Sequence, residues 1–134
     1  MKQTIKIASR RSQLALWQAH SVQTQLQAQF PAIEFEIIGI NTVGDQQQSK
    51  PLQEIGGKAL FVKALQQAIL EGVADCAVHC IKDMSVHPTP QLCIASLIKR
   101  HDPRDVLVCP NACSLETLPT GAVIGTSSPR RASL

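Results

Sequence analysis

Two spacings of apolar residues alternate along this chain, and their order limits the fold more than any other feature. Thr4-Ile5-Lys6-Ile7-Ala8 alternates with period two and predicts a first strand. Ser12 then stands where a helix cap belongs, ahead of Ala15, Ala19, Val22 and Leu26, which recur at helical spacing until Phe30-Pro31 ends the run. Phe35, Ile37, Ile38 and Ile40 predict a second strand. Phe61, Ala64, Leu65, Ala68 and Ile69 predict a second helix, stopped by Gly72. Ala74 to Cys80 reads as a third strand, followed by a polar turn through Lys82-Asp83 and by Pro88 and Pro90. Leu92–Ile98, Val106–Cys109 and Ala122–Gly125 read as further short strands. Thr126-Ser127-Ser128-Pro129 opens a last helix, with Pro129 at its first position, where the missing N–H is no loss. Strands and helices alternating in this way predict an α/β layer with a mostly parallel sheet.

Two stretches break the pattern. Residues 42–58 have no periodicity and carry Gly44-Asp45, three consecutive glutamines, Pro51 and Gly56-Gly57, so they read as a long mobile loop. Residues 99–105 switch to charge and read as a hinge. The expected organisation is a first α/β domain over 1–98, the hinge at 99–105, and the start of an incomplete second α/β domain over 106–134.

Composition narrows the function. Of the 134 residues 44% are hydrophobic and 17% charged, which argues for a folded chain rather than a disordered one. No apolar run reaches the roughly 18 residues of a membrane span. Met1 to Lys6 lacks the apolar segment of a secretory signal, so a cytoplasmic location is expected. A net charge of +3 with one Trp and three Phe does not argue for nucleic acid. Five cysteines in a chain of this kind argue for reduced thiols rather than disulfides. Cys76/Cys80 and Cys109/Cys113 have three intervening residues, where zinc knuckles more often have two. In a strand, Cys76 and Cys80 would stand about 13 Å apart. They read as small apolar residues, and no metal is expected.

The basic residues are clustered instead of numerous. Ala8-Ser9-Arg10-Arg11-Ser12 and Gly125-Thr126-Ser127-Ser128-Pro129-Arg130-Arg131 each place hydroxyls and an arginine pair where a strand passes into a helix. Free backbone N–H groups favour an anion there, and arginine offers a planar fork for carboxylate or phosphate. The alternative is solvated arginines with hydroxyls used only as caps. No Walker loop is present, and the spacing does not choose between carboxylate and phosphate. His79-Cys80-Ile81-Lys82-Asp83-Met84 ends the third strand on the same edge, where ligands of open α/β sheets bind. Asp83 is the candidate proton handler or cation stabiliser, and Lys82 a carboxylate partner; the alternative is an ordinary adjacent ion pair. His79 reads as a satisfied sheet histidine. Lys58, after Gly56-Gly57, is either a lid lysine or a solvated charge on a flexible turn. From the residues alone, the chain reads as one side of a cleft for a small polyanion.

Taken together, the segments Ile7–Ala19, Gly56–Lys63, Ala74–Asp83, Asp102-Pro103-Arg104-Asp105 and Gly125–Arg131 resemble the N-terminal portion of the porphobilinogen deaminase (hydroxymethylbilane synthase) family. The five motifs occur in the family's order and cover the chain from about residue 5 onward. The resemblance implies a periplasmic-binding-protein-like (type II) fold, a doubly wound mostly parallel sheet with the second domain truncated. It implies a transferase of haem and tetrapyrrole synthesis that condenses porphobilinogen units, with loss of ammonia, on a covalent dipyrromethane cofactor. By this resemblance Asp83 stabilises the positive charge that develops on the pyrrole nitrogens. Arg10, Ser12, Lys82, Thr126, Ser128, Arg130 and Arg131 match positions that hold cofactor or substrate carboxylates, and Lys58 matches a lid lysine. The implied partners are porphobilinogen and polypyrrole carboxylates, with neither nucleic acid nor membrane.

Three positions depart from the family pattern. Cys80 stands where serine is usual, Pro129 replaces a usual leucine, and Val43 replaces an arginine common in the loop. None of the five cysteines matches the family's cofactor-attaching motif, which lies in a C-terminal domain beyond this sequence. The 134-residue chain is therefore expected to be inactive alone. The competing reading is a non-catalytic, truncated or degenerate anion-binding module. An incomplete sheet edge and uncovered apolar faces also predict self-association.

Overall fold

A computed structural model describes residues 3–41, 59–85, 87, 89–109 and 114–133. The chain divides into two compact units, Met1–Ile98 and Lys99–Leu134.

The first unit is built on a parallel three-stranded sheet. Strand β1 (Thr4–Arg10) leads into helix α1 (Gln13–Gln29), and β2 (Glu34–Ile40) follows. Helix α2 (Ala59–Leu70) precedes the short β3 (Cys76–Ala77). The strand order is β2-β1-β3, so β1 is central. It pairs with β2 from Thr4↔Glu34 to Arg10↔Ile40 and with β3 at Ile7↔Cys76 and Ala8↔Ala77. Ile7, Ala8 and Ser9 are all fully buried. A central parallel strand is covered on both faces, which is why its middle loses the alternation seen at its start.

The helices form where their periodicity and caps place them. The Ser12 side chain accepts a hydrogen bond from Ala15 N at 3.4 Å and caps α1. Gln23 and Gln27 on α1 donate to the backbone carbonyls of Phe35 (2.6 Å) and Ile33 (2.9 Å), tying the helix to the strand it precedes. On α2, Val62, Leu65 and Ala68 are buried, and Leu65 meets Ala8 and Ala74 in the core. Gly72, at φ +70°, takes the left-handed conformation that ends the helix while Val73 N donates back to Ala68 O.

The strand expectations hold less well. The third strand, expected over 74–80, is ladder-paired only at Cys76–Ala77. Its flanks are tied by Asp75 N to Lys6 O and Val78 N to Ala8 O. Beyond these, Asp83 N donates to Cys80 O and the chain tightens into a 3₁₀ turn over Ile81–Asp83. His79 is therefore not a sheet residue. Leu92–Ile98, expected as a strand, is irregular and exposed, with Ile94, Leu97 and Ile98 open to solvent. A strand persists only where a neighbouring backbone satisfies its N–H and C=O groups, and these residues have no such neighbour among those described. The expected loop over 42–58, with Val43 and the candidate lid residue Lys58, lies outside the described residues.

The second unit shows the same rule more strongly. Val106–Cys109 and Ala122–Gly125, both expected as strands, are unpaired among the described residues, and Val108 and Val123 are almost wholly exposed. What forms is local. A 3₁₀ turn at Leu115–Thr117 carries a capping box between Ser114 and Thr117, and Gly121 at φ +82° serves a turn closed by Ala122 N to Pro119 O. A one-turn helix, Pro129–Ala132, has Ser128 as its cap and Pro129 in its first turn. Among the described residues no helix is long and apolar enough to cross a membrane.

Candidate functional site

In the first unit Arg10, Lys82 and Asp83 gather with His79 at the carboxyl edge of the sheet. Because β1 and β3 are parallel with Ala8 opposite Ala77, Arg10 and His79 each lie two residues past that shared level. Three ionisable groups meet there. Burial pushes the His79 imidazole below its ordinary pKa, the Asp83 carboxylate opposes that shift, and the Arg10 guanidinium adds to it. His79 Nε2 is buried without a hydrogen-bond partner. The expectation of a satisfied sheet histidine is thus wrong on both counts: the strand ends at Ala77, before His79, and the ring nitrogen is left without a partner. Buried polar atoms of this kind are uncommon, and this one sits among the charged groups of the edge.

The 3₁₀ turn after β3 carries Lys82 and Asp83. Lys82 Nζ lies 3.7 Å from Asp83 Oδ1, so the adjacent ion pair does form, but the two ends differ: the lysine side chain is 71% exposed and the aspartate 24%. Such a pair contributes little to stability, and its carboxylate is the more sheltered end. Cys80 accepts a hydrogen bond from Gln18 Nε2 at 3.8 Å to its sulfur.

The arginine pair of the first turn divides its work. Arg11 Nε donates to Gly39 O at 3.1 Å and its side chain lies across that glycine, where an added Cβ would meet Arg11 Cγ at 3.0 Å. Arg11 thus fastens the turn to β2, and Arg10 is the member at the charged edge. Ser9 is fully buried and bonds to Arg10 O at 3.0 Å, and the Ser12 hydroxyl is engaged as the helix cap.

In the second unit Thr126, Ser128, Arg130 and Arg131 form one local group. Thr126 Oγ1 accepts from Ser128 N at 3.1 Å, and Ser128 Oγ accepts from Arg131 N at 3.4 Å. A helix of one turn has almost no dipole, so the expected contribution from the helix N-terminus falls away and the side chains carry the group's charge. Both arginines converge on Asp105. Arg130 Nη2 lies 3.6 Å from Asp105 Oδ2, and Arg131 Nη2 donates to Asp105 Oδ1. The Arg131 hydrogen bond holds the Asp105 carboxyl below the usual carboxylate range, with both arginine charges assisting. Nearby, Arg104 forks onto Asp102, its Nε 2.9 Å from each carboxylate oxygen.

The cysteines correct another expectation. Cys76, Cys80 and Cys93 are free thiols, but Cys109 is disulfide-bonded, so the chain is not uniformly reduced. A count of cysteines and the lack of a secretion signal speak to compartment and not to which sulfurs the fold brings together. Burial pushes the Cys76 thiol up, with the Asp75 charge adding to the effect, which keeps it protonated and a poor nucleophile or ligand. Among the described residues no group of three or more His, Cys, Asp or Glu is placed to hold a metal ion.

Sequence spacing missed two relationships: the unpartnered His79 nitrogen, and Asp105 as the counter-ion of the arginine pair. The second joins residues 26 positions apart, and only the place of Asp105 in the charged 99–105 segment hinted at it.

Comparison with known proteins bears on these groups. Residues 5–134 match the family model described as porphobilinogen deaminase, dipyromethane cofactor binding domain. The chain is 48% identical over 130 residues to a porphobilinogen deaminase of Methylobacillus flagellatus, covering 97% of this chain and 42% of that protein. It is 50% identical to those of Laribacter hongkongensis (99% of this chain, 43% of the relative) and Rickettsia typhi (98% and 44%). The chain thus spans less than half the length of these relatives. With the family model matching nearly its whole length, the chain belongs to the porphobilinogen deaminase family.

Proposed function

We propose that this chain supplies part of the binding and catalytic surface of a transferase that condenses porphobilinogen units, with loss of ammonia, into the linear tetrapyrrole hydroxymethylbilane. The observation that carries the reading is the Arg130/Arg131 pair, whose two guanidinium groups already hold a carboxylate, that of Asp105. The acetate and propionate arms of porphobilinogen present the same chemistry. Residues that bind one carboxylate from two sides also suit a cofactor built of carboxylate-bearing pyrroles. Arg130, Arg131, Thr126 and Ser128 would hold its acidic arms, as would Arg10, Ser12 and Lys82. When bound, a dipyrromethane supplies the primer on which the pyrrole chain grows.

Asp83 is placed in this reading to stabilise positive charge on a pyrrole nitrogen. Its carboxylate is sheltered on the 3₁₀ turn and lies close enough to His79 to act on its ionisation. A fixed negative charge in a partly dry setting stabilises developing cationic charge more strongly than one in bulk water. Burial shifts His79 toward its neutral form, with Asp83 opposing and Arg10 assisting, which lessens any positive charge that would compete for the Asp83 carboxylate. A periplasmic-binding-like, doubly wound fold, domains over 1–98 and 106–134 with a hinge at 99–105, and a cytoplasmic location belong to the same proposal.

Calorimetric titration of the chain with porphobilinogen tests it. Binding that weakens about tenfold or more in Arg131→Gln is expected, in line with loss of a charge-assisted hydrogen bond. Binding indifferent to Arg10, Arg130 and Arg131 would overturn the reading.

A further inference from the structure

The arginine pair of the second unit is not waiting empty-handed. Each oxygen of Asp105 faces a different guanidinium, Oδ2 toward Arg130 and Oδ1 toward Arg131. We propose that Asp105 is an internal occupant of the carboxylate subsite formed by Arg130 and Arg131, and that a ligand carboxylate must displace it, which makes the subsite selective for polycarboxylates. The inference rests on reading the pair as carboxylate-holding and adds the residue that sets its selectivity.

Two physical quantities support an exchangeable occupant over a fixed strut. The side chains of Arg130, Arg131 and Asp105 are 68%, 49% and 56% exposed, so solvent and ligand reach all three. Ion pairs this open are worth only about 0–1 kcal/mol, so displacement costs little. The tether works in the opposite direction. A carboxylate on the same short chain competes at an effective concentration on the order of millimolar. A free monocarboxylate below that level does not win the site. A ligand held at the same time by a second carboxylate does, because its own effective concentration at the pair is raised in the same way. A positioning role for Asp105, holding the arginines in place for a ligand, predicts the opposite response to its removal.

The sign of one substitution separates these roles. Asp105→Asn removes the competing charge, and Asp102→Asn makes the same change in net charge three residues away, on a carboxylate held by Arg104 instead. Titrations of the 134-residue chain with porphobilinogen and with acetate, at about 50 mM ionic strength where such pairs are weakly screened, read both. Asp105→Asn is expected to tighten porphobilinogen about threefold to tenfold and to narrow its advantage over acetate, with Asp102→Asn within about twofold of the parent chain. Circular dichroism checks that each variant keeps the parent fold. Unchanged or weaker binding in Asp105→Asn overturns the proposal in favour of a positioning role. An equal gain in Asp102→Asn reduces it to bulk charge. If Arg131→Gln leaves porphobilinogen binding untouched, the reading of the pair as a carboxylate site fails first, and this inference fails with it.

Discussion

Lys6 and Asp75 clasp each other across the sheet: Lys6 N donates to Asp75 Oδ2 at 2.7 Å, and Asp75 N donates back to Lys6 O at 2.9 Å. This clasp aligns β3 with β1 just before the two-residue ladder, and so sets where the chain carrying His79 and Asp83 leaves the sheet. Asp75→Ala is expected to cost about 1 kcal/mol in urea denaturation, the usual worth of such a bond, while Asp75→Asn retains most of it because its amide oxygen still accepts.

Leu65 is fully buried against Ala8 and Ala74, where helix α2 meets the central strand. Leu65→Ala should lower stability by about 3 kcal/mol, from lost burial and a cavity that the small neighbours cannot fill. A drop below about 1 kcal/mol in the same denaturation experiment would show that α2 is not docked on the sheet.

His79 makes stability fall on the acid side. Its folded pKa lies below the ordinary 6.5, so the unfolded chain takes up its proton first as pH decreases. The stability it allows is fully present above pH 6.5 and is lost as the pH falls from there through the depressed folded value. Comparing urea midpoints of the parent and His79→Gln between about pH 8 and pH 5 should show a shallower acid loss in the variant. A proton NMR titration of His79 with its midpoint above 6.5 contradicts this.

The Cys80 sulfur accepts a long hydrogen bond from Gln18 Nε2. Cys80→Ser substitutes a stronger acceptor, and a gain of about 0.5–1 kcal/mol is expected if the smaller oxygen remains within reach of the amide. Thermal unfolding of the two chains measures it, and a loss of stability would show that packing of the larger sulfur outweighs the hydrogen bond.

Leu97, Val108 and Val123 are exposed along segments that have no strand partner among the described residues. Sedimentation velocity at increasing protein concentration is expected to show reversible association, since unpaired backbone beside apolar side chains favours pairing with another copy. A single monomer boundary throughout would remove this expectation.

The order of elements from β1 to β3 was legible from spacing and punctuation alone. Ser12, Gly72 and Ser128 act within a few residues of themselves, so the caps and stops they predict need nothing distant. The central strand and both long helices follow for the same reason. The candidate residues were legible in position, not in role: Arg10 ends β1, and Lys82 and Asp83 follow β3, at the edge where the β/α order put them.

Everything that depends on a remote partner was decided by tertiary structure. Ala74–Cys80, Leu92–Ile98, Val106–Cys109 and Ala122–Gly125 all carry strand-like composition, yet among the described residues only Cys76–Ala77 has a neighbouring strand to pair with. Arg10 and Arg11 are chemically identical, and only the position of Gly39 on β2 shows which of them clamps that strand. Arg131 found Asp105 across 26 residues for the same reason that His79 Nε2 found no partner. Local periodicity sets which conformation each segment prefers, whereas hydrogen bonds and ion pairs between distant segments exist only once the fold has brought their two ends within about 3 Å.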